Sequence, residues 1–348
     1  MENEPEIASK ITQGDIFFGT VDTWLLYQLT NGEQFLTDHT NASRTLLFNI
    51  HELQWDSEIL ETWQLDALKF PEIKSSSHTY GSTDVFGLIP NKVPITAMIG
   101  DSHAAMFGEA CFKKGDTKMT LGTGCSLLMH LGDTPLPSKN GLLTTIGWSV
   151  GNTVAYAWEG AIVSCGSMIE WLKGLNIIAN VEETEEMARK VAHDCEVLLI
   201  PAFSGLGAPF WQMDRKASFH GITFGTKNEH LVAATLDAIC FQIKAVIDAM
   251  EGDLGHAVPQ LAMHGGLSKN KYIRQTLEHL LHVHITLQDN SDISAQGAAY
   301  LAGLTDGTFR DLEHISELRT TIPLDTSEAV TSLNTRYNSW LARVKQHQ

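Results

Sequence analysis

The chain has 348 residues, too many for one ordinary hydrophobic core, so two domains are the default expectation. It is 43% hydrophobic and 8% aromatic, the composition of a soluble globular protein. Its 41 acidic against 24 basic residues leave a net charge of −17 with no basic block, which argues against nucleic acid and anionic membranes as partners. A nucleotide is not excluded, because backbone dipoles and a metal ion can hold its phosphates.

The opening MENEPEIASK is acidic and polar, unlike a secretory signal. Residues 15–29 read as an extended entry and an amphipathic helix, capped by Thr20 or Asp22, with Trp24, Leu25, Leu26 and Leu29 buried. Residues 56–68 read as a second helix, capped by Asp56. The apolar run 93–99 ends at Gly100 and predicts a buried strand that delivers Asp101 to its tip, before a helix over 101–110. Residues 117–131, 142–150 and 153–158 read as consecutive strands separated by turn residues. A helix follows at 160–174, a solvated one at 182–193 and a buried strand at 196–202. The clearest helix is 228–250, with Asn228 as cap and an apolar face from Leu231 to Met250. A strand at 260–264 runs into Gly265-Gly266, with helices at 269–282 and 294–304. Strands alternating with helices indicate an α/β class. The longest apolar run, around Val197 to Phe203, is too short to span a bilayer. The five cysteines show no framework or zinc spacing, which predicts reduced thiols in a cytoplasmic protein.

Residues 100–124, GDSHAAMFGEACFKKGDTKMTLGTG, carry the most chemistry. Asp101 reads either as a helix N-cap or as a carboxylate that deprotonates a hydroxyl, and the two roles are compatible. His103 reads as a packed histidine. Gly122-Thr123-Gly124 is either a hairpin turn or bare backbone that approaches a phosphate. Residues 264–270, HGGLSKN, repeat the choice: a common strand–GG–helix junction, or a surface for a nucleotide. Asp101 with two glycine clusters fits phosphoryl transfer. There is no Walker A lysine motif, GxGxxG, nucleophile elbow or HExxH.

At five further places the sequence resembles the FGGY carbohydrate kinases, those acting on glycerol most closely. Phe18-Gly19-Thr20-Val21-Asp22-Thr23-Trp24-Leu25 is similar to the family's FGT-x-DTWL. Thr37-Asp38-His39-Thr40-Asn41-Ala42-Ser43-Arg44-Thr45 resembles TD-x-TNASRT. Residues 201–211 resemble PAF-x-GLGAP followed by Trp, residues 217–237 fit the spacing of a second signature, and residues 296–303 resemble GAAYLAGL. The likeness runs from about residue 14 to 304.

The resemblance implies an α/β fold of two ribonuclease H-like domains, as in actin, closing on ATP and a polyol or sugar. It places the first domain's C-terminal part at 1–107, the nucleotide-binding domain at 108–310 and an extension at 311–348. It implies that Asp101 takes the substrate hydroxyl proton and lies nearest the Mg2+ ion. Ser102 and Ser126 would face the substrate, while Gly122, Thr123, Gly124, Gly166, Glu170, Gly265, Gly266 and Asn270 would hold the nucleotide. Relative to the family pattern, the opening phosphate-binding strand pair and the Arg-Glu pair that grips glycerol are absent. The chain is therefore expected to begin inside the first domain and to be inactive alone, with a homo-oligomer or a complementing N-terminal chain as the expected partners. Ser102 replaces the usual Gln and Ser126 the usual aromatic, which makes room for a larger or more polar substrate, another polyol or a ketose such as xylulose; if both serines face water, glycerol is the substrate. Glu170 replaces a common Gln and His264 a common Asp. A non-catalytic remnant that binds nucleotide or a partner is the competing expectation.

Overall fold

The computed structural model describes residues 4–192, 195–288, 290, 292–322 and 333–346. Nine strands form one mixed sheet: β1 (Ser77–Thr83), β2 (Val93–Ala97), β3 (Thr117–Leu121), β4 (Cys125–Gly132), β5 (Leu143–Val150), β6 (Thr153–Ile162), β7 (Gln260–His264), β8 (His284–Gln288) and β9 (Thr321–Ile322). Their order is β9-β8-β7-β3-β4-β6-β5-β1-β2. The strands β3, β4, β6 and β5 pair antiparallel, as turn-separated alternating runs predict. The strands β3, β7 and β8 are parallel, so their C-terminal ends lie on one edge. A single parallel pair, Ser77 with Val150, joins β1 to β5.

Eight helices matter below: α1 (Val21–Leu29), α2 (Asp101–Gly108), α3 (Gly166–Gly174), α4 (Glu183–Val191), α5 (Asn228–Leu254), α6 (Lys271–Leu281), α7 (Ile293–Asp306) and α8 (Leu333–Lys345). One large core lies between the sheet and α3, α5, α6 and α8. By length and composition α5 could cross a membrane, but it is a core helix here, with most of its apolar surface inside the protein. A second core, with Met106, Phe107, Trp148 and Leu301, lies beneath α2 and α7. A third, around Leu26, Leu36 and Tyr80, belongs to the N-terminal region.

Four expectations change. The strand ending before Asp101 is an edge strand with exposed Val93 and Pro94, because Pro94 has no N–H for a second neighbour. In α1, Leu26 is buried but Trp24 and Leu25 are exposed, and Thr20 occupies the N-cap position without a side-chain cap bond. The helix expected over 160–174 starts at Gly166, since β6 continues to Ile162. At α5 the N-cap is Lys227 rather than Asn228, and its N–H donates to His230 Nδ1 at 3.1 Å. The Asp56 cap forms as expected, accepting from Ile59 N at 3.1 Å.

Candidate active site

Asp101 is the first residue of α2 and is exposed. Its Oδ1 accepts from Ser102 N at 2.6 Å, and Oδ2 has no protein partner among the described residues. The turn before it is held from below. Gly100 N donates to Thr40 Oγ1 at 2.9 Å, and Thr40 in turn donates to the buried Asp38. Asp38 also accepts from the Thr40 and Asn41 amides, the Asn41 side chain and Ser76 Oγ. Burial pushes the Asp38 carboxyl up, and these hydrogen bonds oppose the shift. The TD-x-TNASRT segment therefore serves as the foundation of the Asp101 turn. His103 is buried and pushed down to about 3 by burial and by the charges of Arg44 and Lys118. It is neutral at working pH, as a packed histidine should be.

Behind α2 the two helices make their closest approach through glycine. A Cβ on Gly297 of α7 would lie 1.8 Å from the Ala104 carbonyl oxygen, and one on Gly108 would lie 2.6 Å from that of Ile293. The backbone contact seats α2 and, with it, Asp101.

Gly122-Thr123-Gly124 is the β3–β4 hairpin turn, closed by Gly122 N donating to Gly124 O at 2.9 Å. Gly122 and Thr123 are exposed. Their carbonyls accept from the first amides of α3: Gly166 N to Gly122 O at 3.0 Å, and Cys165 N and Ser167 N to Thr123 O at 3.0 and 3.1 Å. Gly166 fits this seam because a Cβ would lie 2.6 Å from Gly122 O. Glu170 sits one turn on along α3, exposed.

The second glycine cluster lies next to the first. Because β7 pairs parallel with β3, with His264 opposite Thr120, Gly265-Gly266 and Gly122-Thr123-Gly124 leave the same edge side by side. Gly265 has φ +104° and its Cβ position is 2.4 Å from Leu121 O, whereas a Cβ on Gly266 meets nothing within 4 Å. The open backbone at Gly266 and the exposed hairpin together form a surface that a nucleotide can press against. In open α/β sheets ligands bind outside the carboxyl ends of the strands, which is where both clusters lie. Asn270 is more fully committed to the protein. It caps α6 by accepting from Ile273 N at 3.1 Å, and its Nδ2 donates to Thr184 of α4 at 3.1 Å.

Ser102 and Ser126 join the two halves of the site. Their hydroxyls are 3.4 Å apart, so the start of α2 touches β4 two residues beyond the hairpin. Beneath them lies Lys118, which the motifs did not single out. Its Nζ donates to Thr120 Oγ1 at 3.0 Å, Ser126 Oγ at 3.3 Å and Ser102 Oγ at 3.4 Å. Thr120 is 2.8 Å from His264 Nε2, whose other ring nitrogen is 3.1 Å from Glu109 Oε1. Gln288 and Arg319 donate to Glu109 Oε2 at 2.8 Å each. Burial would raise the Glu109 carboxyl, but the His264 hydrogen bond and the Arg319 charge outweigh it and hold the group below its ordinary value. A lysine between two threonines in the strand TKMTL, whose Met119 and Leu121 are buried, was the available signal for this chain of groups.

For Mg2+, no group of three His, Cys, Asp or Glu side chains among the described residues could hold an ion unaided. A magnesium ion carried on phosphates needs only one or two carboxylates, and Asp101 fits that need.

Residues 117–305 match the C-terminal domain of the FGGY family of carbohydrate kinases, and residues 1–108 its N-terminal domain. Glycerol kinase 2 of Thermotoga maritima is 44% identical over 321 residues, 91% of this chain and 64% of that protein. The glycerol kinase of Enterococcus casseliflavus is 42% identical over 319 residues, 91% of this chain and 63% of that one. The chain thus spans just under two thirds of the length of these relatives. The crystal structure of Plasmodium falciparum glycerol kinase with ADP superposes with a TM-score of 0.88 at 34% identity, covering 99% of this chain and 69% of that one. A ligand-bound xylulose kinase from Lactobacillus acidophilus shares the fold, at TM-score 0.83 and 16% identity over 93% of this chain and 66% of that one. The α/β architecture is therefore the two-domain, actin-like one of the solved sugar kinases. With both of its domains matched along one chain, the protein belongs to the FGGY family of carbohydrate kinases.

Proposed function

We propose that the chain belongs to an ATP-dependent kinase that phosphorylates a hydroxyl of glycerol or of a related polyol or ketose. The observation that carries this reading is the convergence of an exposed carboxylate, Asp101, with two glycine turns on one edge of the sheet, bridged by Ser102 and Ser126. In this reading Asp101 accepts the proton of the attacking hydroxyl. Its unpartnered Oδ2 is free to do so. Backbone at Gly122, Thr123, Gly124, Gly265 and Gly266 faces the nucleotide, with Gly166 and Asn270 shaping the wall and Glu170 adding negative charge beside it. Bound Mg2+ would supply charge neutralisation at the phosphates. The division at 107/108 and 310/311 and a cytoplasmic location belong to the same reading.

Phosphoryl transfer needs positioning and charge neutralisation on both sides of the phosphate. This reading places the other side in the part of the relatives' length that the chain does not cover, which a complementing N-terminal chain would supply. The 348-residue chain alone is expected to turn over at or near background. The second reading is a nucleotide-binding protein without transfer activity.

Calorimetry with ADP and a coupled assay with ATP, glycerol, erythritol, ribitol and xylulose separate the two readings. In an active assembly Asp101→Asn should lower kcat by about 10²–10⁴-fold and leave ADP affinity unchanged. Near-normal turnover in that variant removes Asp101 from the chemistry. ADP binding with no turnover in any assembly establishes the second reading. More than tenfold preference for glycerol refutes the argument from Ser102 and Ser126.

A further inference from the structure

Arg44 belongs to the segment 37–45, whose Asp38 and Thr40 hold the turn before Asp101, yet it takes no part in that foundation. Its guanidinium reaches across to β6. Nη1 donates to Glu159 Oε2, and Nη2 to Oε1 at 3.4 Å. One residue earlier, Ser43 Oγ is 3.2 Å from Thr145 Oγ1 of β5. The arm therefore starts in the part matched by the family's N-terminal domain and is anchored in the part matched by its C-terminal domain. The sheet register fixes where that anchor lies. Glu159 stands opposite Leu128 of β4, Leu128 stands opposite Lys118 of β3, and Ser126 is two residues from Leu128. Residues two apart on a strand share a face, so Glu159 and Ser126 are diagonal neighbours on the face that carries Lys118 and meets α2. Ser126 touches Ser102, which follows Asp101 directly. The Arg44 charge also reaches His103, two residues on from Asp101. Arg44 thus borders the Asp101 site.

Two cations stand at this wall, and they differ in what they can reach. Lys118 is fully buried, with its Nζ committed to three protein hydroxyls. The Arg44 side chain is 45% exposed, against 8% for its partner Glu159. A guanidinium has five N–H donors, of which Glu159 takes two and no described residue takes the others. We propose that Arg44 is a further binding residue of the Asp101 site, whose guanidinium, anchored by Glu159, takes the phosphate monoester that the transfer forms. This rests on the reading of that site as a kinase site for polyols and sugars. In that reaction the oxygen that gives its proton to Asp101 becomes bonded to phosphorus, so the monoester forms beside a carboxylate. A dianion there is repelled by Asp101 unless a cation faces it. The guanidinium fork matches phosphate oxygens with paired N–H donors, whereas a neutral polyol gains little from its charge.

The test is an NMR titration of the 348-residue chain with glycerol 3-phosphate and xylulose 5-phosphate, each beside its parent glycerol or xylulose, and with ADP. In the wild type a phosphate should bind about tenfold tighter than its parent, the margin of a charge-assisted hydrogen bond. Arg44→Gln should bring that ratio to about one and leave ADP affinity unchanged, while Arg44→Lys should keep part of the ratio. Glu159→Gln separates phosphate binding from a plain pin between two parts of the chain. It removes the competing anion, so the phosphates should bind tighter than in the wild type, whereas a pin predicts a loss in both variants. If thermal melting shows Arg44→Gln unfolded, the double variant with Glu159→Gln replaces the ion pair by two amides and carries the test, with an expected ratio of about one. An unchanged ratio in the folded Arg44 variants overturns the proposal, and so does an equal loss in Glu159→Gln. Lost ADP affinity in Arg44→Gln with the ratio retained overturns it in favour of a nucleotide contact. Parents that bind with phosphates no tighter overturn the role of Arg44 alone. Binding of ADP with none of the four other ligands removes the polyol and sugar reading as well.

Discussion

Gly265 and Gly266 are neighbours, and the backbone asks opposite things of them. At φ +104° and with Leu121 O 2.4 Å from its Cβ position, Gly265 has no room for a side chain. Gly265→Ala should cost about 2 kcal/mol or more from backbone strain and overlap, read as a lower denaturation midpoint at unchanged slope. Gly266 has open space around its Cβ position, so Gly266→Val should change stability by under about 1 kcal/mol. It should nevertheless weaken ADP binding in calorimetry, because that open space is the proposed nucleotide surface. Unchanged affinity would reduce this cluster to a turn. Lys118 makes a second prediction at this scale. Its folded value of about 8 lies below the ordinary lysine value of 10.5, so the unfolded chain holds more protons between those pH values and stability rises across that window. Below pH 8 the cost of the buried charge is fully present, of order 3 kcal/mol, and above 10.5 it is gone. Lys118→Met should accordingly be more stable than wild type at pH 7, and urea titrations should show the gap closing toward pH 10.5. A gap independent of pH would mean that the fold does not lower the pKa of Lys118. Neither the Lys118 environment nor the difference between the two glycines could be read from local pattern, because each depends on strands far apart in sequence.

Two helices decide where Asp101 sits. The contact between α2 and α7 leaves no space at Gly297, whose Cβ would overlap the Ala104 carbonyl. Gly297→Ala should separate the helices at a cost of about 3 kcal/mol, visible in thermal and denaturant unfolding. In an active assembly it should also lower kcat by displacing Asp101, without touching any ligand. Retention of both stability and kcat would show that the pair is not the platform. Most helices were legible at this scale. For α5 the apolar periodicity and for Ser57–Thr62 the Asp56 cap were local signals. The antiparallel run from β3 to β6 was legible from turn residues at regular spacing. Misreadings arose where the neighbour mattered more than the pattern. The apolar run over 93–99 looked buried but lies at an edge, and Trp24 and Leu25 have no described partner element to cover them. Hydrophobicity reports that a face can be buried, and only packing reports what buries it.

At the scale of the whole molecule, several exposed apolar residues among the described ones cluster on α1 and the segment before it. Phe17, Val21, Trp24 and Leu25 are each more than half exposed, beside a groove of about 350 Å³ lined by Phe18, Tyr27 and Phe35. Contiguous exposed apolar surface favours association. Sedimentation of the chain should therefore show concentration-dependent association that Trp24→Glu with Leu25→Glu reduces, despite the net charge of −17. A monomer at all concentrations would refute this. The sequence by itself determined the α/β class, the family motifs, Asp101 and the two glycine turns, because carboxylate chemistry and bare backbone are properties of residue type and short-range order. The tertiary structure decided what those residues can do together. Parallel pairing of β3 with β7 brought the glycine turns, 143 positions apart from Gly122 to Gly265, onto one edge. The Ser102–Ser126 contact joined Asp101 to them, with Lys118 donating to both hydroxyls from beneath. Hydrogen-bond direction depends on which donors and acceptors meet in space, and only the packed chain determines that.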